Sequence, residues 1–123
     1  MHRIMVIDDE AMIRESLKKI LESKGYQVRV ACDGNEASIM FDEEAPDLVI
    51  TDILMPEKDG VEVILELRRK FLNIKILAIS GGGRINAINH LEVVKHLGAD
   101  ATLPKPFTAD QLLSEVSRLI SSI

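Results

Sequence analysis

Acidic and other polar side chains follow short apolar runs at several points of the 123-residue chain. They are Asp8 and Asp9 after the first run, then Asp52, Ser80 and Lys105 after three later ones. Carboxylate oxygens are ligands that Mg²⁺ prefers, and a carboxylate can also act as a nucleophile that forms an acyl phosphate. Phosphoryl transfer needs mainly positioning and charge neutralisation, so a metal ion, a lysine and a hydroxyl group would suffice for it. The set therefore predicts phosphoryl transfer onto Asp52 if the fold brings these residues together.

Each of these signals is weak when it is taken alone. An Asp-Asp-Glu run before a helix is more often a helix cap, and a lysine before a proline is most often solvated. Three carboxylates at one sheet edge would repel, however, and two unit charges about 4 Å apart cost about 4 kcal/mol at an effective dielectric constant near 20. Lys105 would offset part of this charge, and a divalent cation would offset the rest.

The elements that must position these residues follow from an alternation of short aliphatic runs with helical patterns. This alternation predicts βαβ units around a parallel sheet. Strands are predicted at residues 3–7, 27–32, 47–51, 75–80 and 101–103. The first, third and fourth runs are continuously apolar, which predicts central strands that are covered on both faces. We expect a doubly wound α/β fold, in which ligands bind at the carboxyl ends of the strands.

Five helices are predicted between and after these strands. The first has apolar residues on one face and stops before Gly25. The spacing of a capping box predicts helix starts at Asp33, Asp59 and Thr108, and a further helix is predicted over residues 86–97. Every strand is thus followed by a helix, as a doubly wound sheet requires.

Composition limits the possible functions. The length, with 46% hydrophobic and 28% charged residues, is that of one ordinary soluble globular domain. A net charge of −5, without a run of Lys or Arg, argues against direct binding to nucleic acid. The single cysteine, Cys32, lies in a predicted buried strand and suggests a reducing compartment. The apolar run over residues 4–7 is too short for a signal peptide or a membrane span, so we expect a cytoplasmic protein with no membrane contact.

Four separated motifs resemble those of the receiver domains of bacterial two-component response regulators. They are Asp8-Asp9, Thr51-Asp52-Ile53-Leu54-Met55-Pro56 with Asp59-Gly60, Ser80, and Gly98-Ala99-Asp100 leading to Lys105-Pro106-Phe107. The motifs occur in the family's order and on the corresponding elements, and the resemblance covers essentially the whole chain. It implies one receiver domain over residues 1–123, with a flavodoxin-like (βα)5 fold and strand order 2-1-3-4-5.

The resemblance also implies a role for each matching residue. Asp52 would accept a phosphoryl group from a histidine kinase or a histidine phosphotransfer protein. Asp9, Asp52 and the backbone carbonyl of Leu54 would hold Mg²⁺ or Mn²⁺, with Asp8 acting through a bound water. Lys105 would pair with the phosphoryl oxygens. No turnover of an external substrate is expected.

A conformational switch is implied as well. Ser80 would move inward to hydrogen-bond a phosphoryl oxygen and so bias a two-state equilibrium, which a downstream partner would recognise on the fourth helix, fifth strand and fifth helix. Thr102 stands where many relatives carry an aromatic side chain that moves with the switch hydroxyl. Leu54 and Gly82 stand where relatives often carry polar side chains near the attacking water, so the lifetime of the phosphoryl group is left open.

Ile13, Pro106 and Phe107 are candidates for an apolar docking patch that contacts the helical hairpin of the kinase, as similar positions do in the family. The alternative is that they form only the rim of the core. The Lys105-Pro106 bond resembles one that is cis in the family, a state that X-Pro bonds adopt at modest cost.

Three alternatives compete with a working receiver. A haloacid-dehalogenase-type phosphohydrolase would need a second Asp two residues after Asp52, where this chain has Leu54. A flavodoxin-like nucleotide or flavin binder would need a glycine-rich first loop, whereas this loop is acidic. A degenerate receiver would bind proteins without being phosphorylated. The sequence also leaves open whether the chain acts alone or is a piece of a longer regulator, and it names neither the kinase nor the target.

Overall fold

Five short parallel strands form one sheet with helices on both faces. A computed structural model describes residues 2–53, 60–71, 73–80 and 98–122, apart from the side chains of Gly60, Val61 and Ser80. The strands are β1 (Arg3–Ile7), β2 (Gln27–Ala31), β3 (Leu48–Asp52), β4 (Lys75–Ser80) and β5 (Ala101–Pro104). The helices within the described residues are α1 (Ala11–Glu22), α2 (Gly34–Glu43), α3 (Gly60–Lys70) and α4 (Ala109–Ser121).

The strand order is β2-β1-β3-β4-β5, and every neighbouring pair is parallel. This confirms the predicted doubly wound, flavodoxin-like order and places the three continuously apolar strands, β1, β3 and β4, at the centre. Their apolar residues are buried because helices cover both faces of the sheet. The order also puts the carboxyl ends of β1 and β3 side by side, where the acidic residues were predicted to meet.

The helix starts confirm two of the predicted caps. The Asp33 side chain accepts a hydrogen bond from the Glu36 backbone N–H at the start of α2. A complete capping box between Thr108 and Gln111 begins α4. The predicted start at Asp59 and the helix predicted over residues 86–97 lie outside the described residues. Two glycines adopt a positive φ that other residues rarely adopt, Gly25 after α1 at +90° and Gly98 before β5 at +129°.

The core is divided by the sheet into two layers. The α1/α4 layer contains alternate residues of the central strands together with apolar residues of those two helices, among them Val6, Leu17 and Val116. The α2/α3 layer contains the other set of strand residues together with Phe41, Ile64 and Leu67. The division follows from the two-residue period of a strand, which sends successive side chains to opposite faces.

The structure corrects the prediction for Cys32. Strand β2 ends at Ala31, one residue earlier than predicted, so Cys32 lies beyond the strand and is half-buried. Its thiol contacts the carboxylates of Glu36 and Asp33, at 3.3 Å and 3.7 Å. The Glu36 hydrogen bond is the main cause that raises the thiol pKa, with partial burial and the charge of Asp33 adding to it. The thiol has polar partners because the carboxylates of Asp33, which caps α2, and of Glu36, in its first turn, reach it. Alternation along a strand does not reveal such contacts.

The predicted bounds of the third and fifth strands also shift by one residue. Strand β3 runs from Leu48 to Asp52 instead of from Asp47, and β5 continues to Pro104. Among the residues that the structure describes, no helix has the length and apolar character needed to cross a membrane.

Candidate functional site

Asp8 and Asp52 meet because β1 and β3 are neighbours in register. Ile7 pairs with Thr51, so the residue that follows each of them reaches the carboxyl edge of the sheet at the same level. Asp8 is fully buried and Asp52 is 5% exposed, whereas Asp9 is exposed. Two of the three predicted carboxylates therefore lie below the surface, and the third is open to solvent.

One carboxylate oxygen from each of Asp8, Asp9 and Asp52 lies within 4.8 Å of the other two. At that spacing each pair of unit charges repels by about 3 kcal/mol at an effective dielectric constant near 20. The three donors are hard oxygen ligands at a spacing that one small divalent cation spans, so they fit Mg²⁺ or Mn²⁺. The cluster could therefore hold a metal ion, and its own repulsion favours one.

Lys105 provides a positive charge at the same place. Its Nζ atom donates hydrogen bonds to Oδ2 of Asp52 at 3.1 Å and to Oδ2 of Asp8 at 3.3 Å. Burial acts to lower the pKa of Lys105, but the hydrogen bond and charge of Asp52, followed by those of Asp8, outweigh it, so the pKa is raised. The ammonium group is consequently held in its charged form beside both carboxylates.

Asp8 shows the cost of this arrangement most clearly. Burial raises the pKa of its carboxyl group, and the charge of Asp52 adds to the rise. The Glu10 backbone N–H, which donates to Oδ1 at 2.9 Å, and the Lys105 ammonium only partly counter it. The ionised carboxylate is thus destabilised in the folded protein, mainly because it is buried and in part because Asp52 carries the same charge.

The backbone of Asp8 is held by contacts that the sequence did not indicate. Its N–H donates to the Ala31 carbonyl of β2 at 3.2 Å, and its own carbonyl accepts a hydrogen bond from Nη1 of Arg14 at 2.7 Å. Arg14 lies on α1, six residues after Asp8. Several residues of that helix are charged, and the sequence does not show which of them turns back to the loop. The one available signal was its position one turn after the helix start.

Other predicted site residues are described only in part. Ser80 ends β4 opposite Pro104, but its side chain lies outside the described residues, as does the whole of Leu54. Thr102 is half-buried in β5 and pairs with Ala78. Their predicted roles as switch residues and as a metal ligand stay predictions.

An open groove of about 620 Å³ lies between α1 and the segment that follows β5. The Lys105-Pro106 peptide bond in that segment is cis, as the resemblance implied. Ile13 and Phe107 are half-buried, while Met12 is 83% exposed. The apolar residues that line the groove are Met12, Ile13, Leu17, Ile20, Pro106 and Phe107. The three predicted docking residues therefore share one apolar surface, which begins beside Lys105.

A model of the response regulator receiver domain matches residues 4–117. The response regulator MprA of Mycolicibacterium vanbaalenii is 36% identical over 118 residues, which are 96% of this chain and 50% of that protein. The chain thus spans about half the length of the curated relatives that it matches.

Solved structures give the same result. The receiver domain of NtrX from Brucella abortus superposes with a TM-score of 0.91 at 31% identity and covers 98% of this chain and 99% of its own. A structure described as a putative response regulator from Chloroflexus aurantiacus gives a TM-score of 0.88 at 30% identity, with 98% of both chains covered. The likeness therefore extends over nearly the whole chain.

Proposed function

Because this chain belongs to the response regulator receiver domain family, we propose that its Asp52 accepts a phosphoryl group from a histidine kinase or a histidine phosphotransfer protein. The observation that carries the proposal is the position of the Asp52 carboxylate, 3.1 Å from the Lys105 ammonium and within 4.8 Å of Asp8 and Asp9. Asp52 ends a central strand, which fixes its backbone while the edge of the sheet stays accessible.

The transfer is a displacement at phosphorus. A carboxylate oxygen of Asp52 attacks, the new P–O bond gives an acyl phosphate, and the P–N bond to the donor histidine breaks with its electron pair returning to the ring nitrogen. Lys105 neutralises charge on the reacting oxygens, because its ammonium already donates to Asp52. A bound Mg²⁺ or Mn²⁺ would supply the remaining charge neutralisation at the phosphoryl oxygens.

We assign the ligands for this cation to Asp9, Asp52 and the Leu54 carbonyl, with Asp8 acting through a water. The exposed carboxylate of Asp9 and the full burial of Asp8 support this division, since a fully buried side chain is the less accessible to an entering ion. The protein's role in this proposal is that of a phosphoryl acceptor, with no turnover of an external substrate.

The signal would leave the site through β4 and β5. We propose that the Ser80 hydroxyl donates to a phosphoryl oxygen and that Thr102, on the neighbouring strand, adjusts with it. A ligand can shift a two-state equilibrium only as far as its contacts differ between the states, and such a new hydrogen bond is a difference of this kind. The surface around β5 would then be recognised by a downstream protein.

We further propose that the phosphodonor docks in the groove lined by Ile13, Pro106 and Phe107. The groove is apolar and begins beside Lys105, so a helix that packed there would bring a donor histidine toward Asp52. An Ile13→Glu variant should lower transfer from a cognate kinase by about tenfold, the cost of a charge at an apolar interface, while leaving transfer from acetyl phosphate unchanged. Ile39→Glu is the matched control, because Ile39 is an exposed isoleucine on α2 at the other face of the sheet. Equal loss in both variants would exclude the groove as the docking site.

The phosphoryl acceptor is tested by the intact mass of the protein after incubation with acetyl phosphate, with and without Mg²⁺. We expect a gain of one phosphoryl group that requires the metal and is absent from an Asp52→Asn variant. Transfer from a cognate kinase should show the same two requirements. A protein that no donor phosphorylates would instead support the alternative of a degenerate receiver that only binds other proteins.

We propose that residues 1–123 form this one domain and that it acts in the cytoplasm without direct contact to nucleic acid or membrane. The net charge of −5 supports the absence of nucleic-acid binding. The chain spans about half the length of its curated relatives, so this proposal does not extend to an output activity. A pull-down with the phosphorylated domain would identify the downstream protein that it binds.

A further inference from the structure

Arg14 connects helix α1 to the acidic loop in a way that the proposed function does not use. Its backbone N–H donates to the Glu10 carbonyl at 3.1 Å as part of the first helical turn. Its side chain turns back along the loop, and Nη1 donates to the Asp8 carbonyl at 2.7 Å. One residue therefore closes the segment from Asp8 to the first turn of α1.

The Asp8 carbonyl depends on this contact. Asp8 has no exposed surface, so water does not reach its backbone. Its N–H continues the pairing with β2, but the chain leaves the sheet at this point to enter α1. A buried carbonyl without a donor is strongly disfavoured, and the Arg14 guanidinium is the donor present.

This hydrogen bond also determines where Asp9 lies. The Asp8 carbonyl belongs to the planar peptide unit that ends at the Cα atom of Asp9, so holding the oxygen holds the plane. Asp9 is exposed, and within the described parts of the chain no ion pair or hydrogen bond holds its side chain. The position of its carboxylate relative to Asp8 and Asp52 consequently depends on the backbone that Arg14 holds.

We infer that Arg14 is a positioning residue for the cation site, which keeps the Asp9 carboxylate beside those of Asp8 and Asp52 by fixing the Asp8–Asp9 peptide plane. The inference rests on the proposed function in one respect, namely that a divalent cation binds at these carboxylates. Mg²⁺ requires nearly ideal octahedral geometry, so it is sensitive to a displaced ligand.

The positive charge of Arg14 has the opposite effect, and this makes the inference testable. If the residue acted only through its charge, its removal would strengthen the attraction between the carboxylates and a cation. If it acts by positioning, its removal weakens cation binding although a repelling charge has gone. The two roles thus predict changes of opposite sign in the same equilibrium constant.

The experiment is an NMR titration of the ¹⁵N-labelled protein with Mg²⁺ that follows the backbone amides of the acidic loop. Arg14→Gln should raise the dissociation constant about tenfold or more, the range found when a group that orients a metal ligand is removed. Arg14→Lys keeps the charge and one donor group and should recover part of the affinity. Lys18→Gln removes a positive charge one turn further along α1 and should stay within about twofold of the wild type, because salt screens such charges.

The outcomes separate the inference from the proposed function. Unchanged or tighter binding in Arg14→Gln, with normal binding and Asp52 phosphorylation in the wild type, would overturn the inference and leave the function intact. A wild-type chain that binds no Mg²⁺ would overturn both. If Arg14→Gln does not give a folded spectrum, Arg14→Lys decides alone, because pure charge predicts wild-type affinity and positioning predicts weaker binding.

Discussion

The two ends of the sheet each hold buried or half-buried charges, but they balance them differently. At the amino ends of β4 and β5, Arg68 of α3 forms an ion pair with Asp100, and its Nε and Nη1 atoms donate to the carbonyls of Gly98 at 2.8 Å and Ile74 at 2.6 Å. Asp100 also accepts from the Ile76 backbone N–H at 2.8 Å. The two opposite charges pair with each other, and each also bonds to backbone groups.

At the carboxyl ends, the three carboxylates of the acidic cluster lie together, and the ammonium of Lys105 pairs with those of Asp8 and Asp52. Burial, and to a lesser extent the charge of Asp52, raises the pKa of Asp8, so the folded protein disfavours its ionised carboxylate. The charges of the amino end are thus paired within the fold, whereas the acidic cluster of the carboxyl end could hold a metal ion. Stability measurements on variants at both ends test this difference.

The largest effect is expected at the amino end, from Arg68→Met. The change leaves the Asp100 charge and two partly buried carbonyls without this donor, and we expect a loss of about 3 kcal/mol in the free energy of unfolding. Urea unfolding followed by circular dichroism measures it. Arg69→Met, at the exposed neighbouring position, is the control. A loss as small as that of the control would mean that the Arg68 network contributes little to the free energy of unfolding, and the proposed difference between the two ends would be wrong.

A smaller effect is expected from Lys105→Met at the carboxyl end. Removing the ammonium leaves the buried Asp8 and Asp52 beside each other, which should cost about 2 kcal/mol, at the low side for a buried ion pair because Lys105 is in part exposed. Mg²⁺ should then raise the free energy of unfolding more in this variant than in the wild type, since it replaces the lost charge. The same urea titrations with and without Mg²⁺ test this. Equal gains from Mg²⁺ in both proteins would contradict it.

The smallest effect is expected from replacing an aspartate by asparagine. This change should lower the free energy of unfolding at the amino end and raise it at the carboxyl end. Asp100→Asn should destabilise by about 1 kcal/mol by breaking the pair with Arg68. Asp8→Asn should stabilise by about 1 kcal/mol, because it removes a charge that burial disfavours and that Asp52 repels. A raised folded-state pKa means that the stabilisation from Asp8 is fully present below its ordinary pKa and is lost as the pH rises through the folded-state value. The advantage of Asp8→Asn should therefore be absent below about pH 4 and grow above it. Urea unfolding across this pH range without metal tests the sign, and destabilisation by Asp8→Asn at neutral pH would contradict it.

Much of the fold could be predicted because local patterns and tertiary structure agree. Strands β1 and β4 have the predicted bounds, and the caps at Asp33 and Thr108 are as expected, since apolar runs and capping residues act over a few positions. The convergence of Asp8, Asp9 and Asp52 was expected because these residues follow predicted strands of one parallel sheet. Parallel strands bring their carboxyl ends to one edge whatever side chains lie between them.

Long side chains that reach across the fold could not be predicted. Arg14 and Arg68 lie among other charged residues on their helices, and nothing in the periodicity distinguishes a solvated arginine from one that turns back to a carbonyl. The choice depends on which carbonyls the turns leave unpaired, and only the assembled structure fixes that. The prediction for Cys32 was wrong for a related reason, because its partners, Asp33 and Glu36, come from the start of the following helix.

The division of the core by the sheet has a consequence for how such a protein can change over evolution. The groove is built on the α1/α4 layer, while Phe41 and Leu67 pack in the α2/α3 layer. Energetic effects at sites that share no contacts are nearly additive, so the two layers can accept substitutions almost independently. A lineage can therefore redesign the surface that selects its partner and repack the interior beneath it, while the opposite layer holds the strands, and with them the acidic cluster, in place.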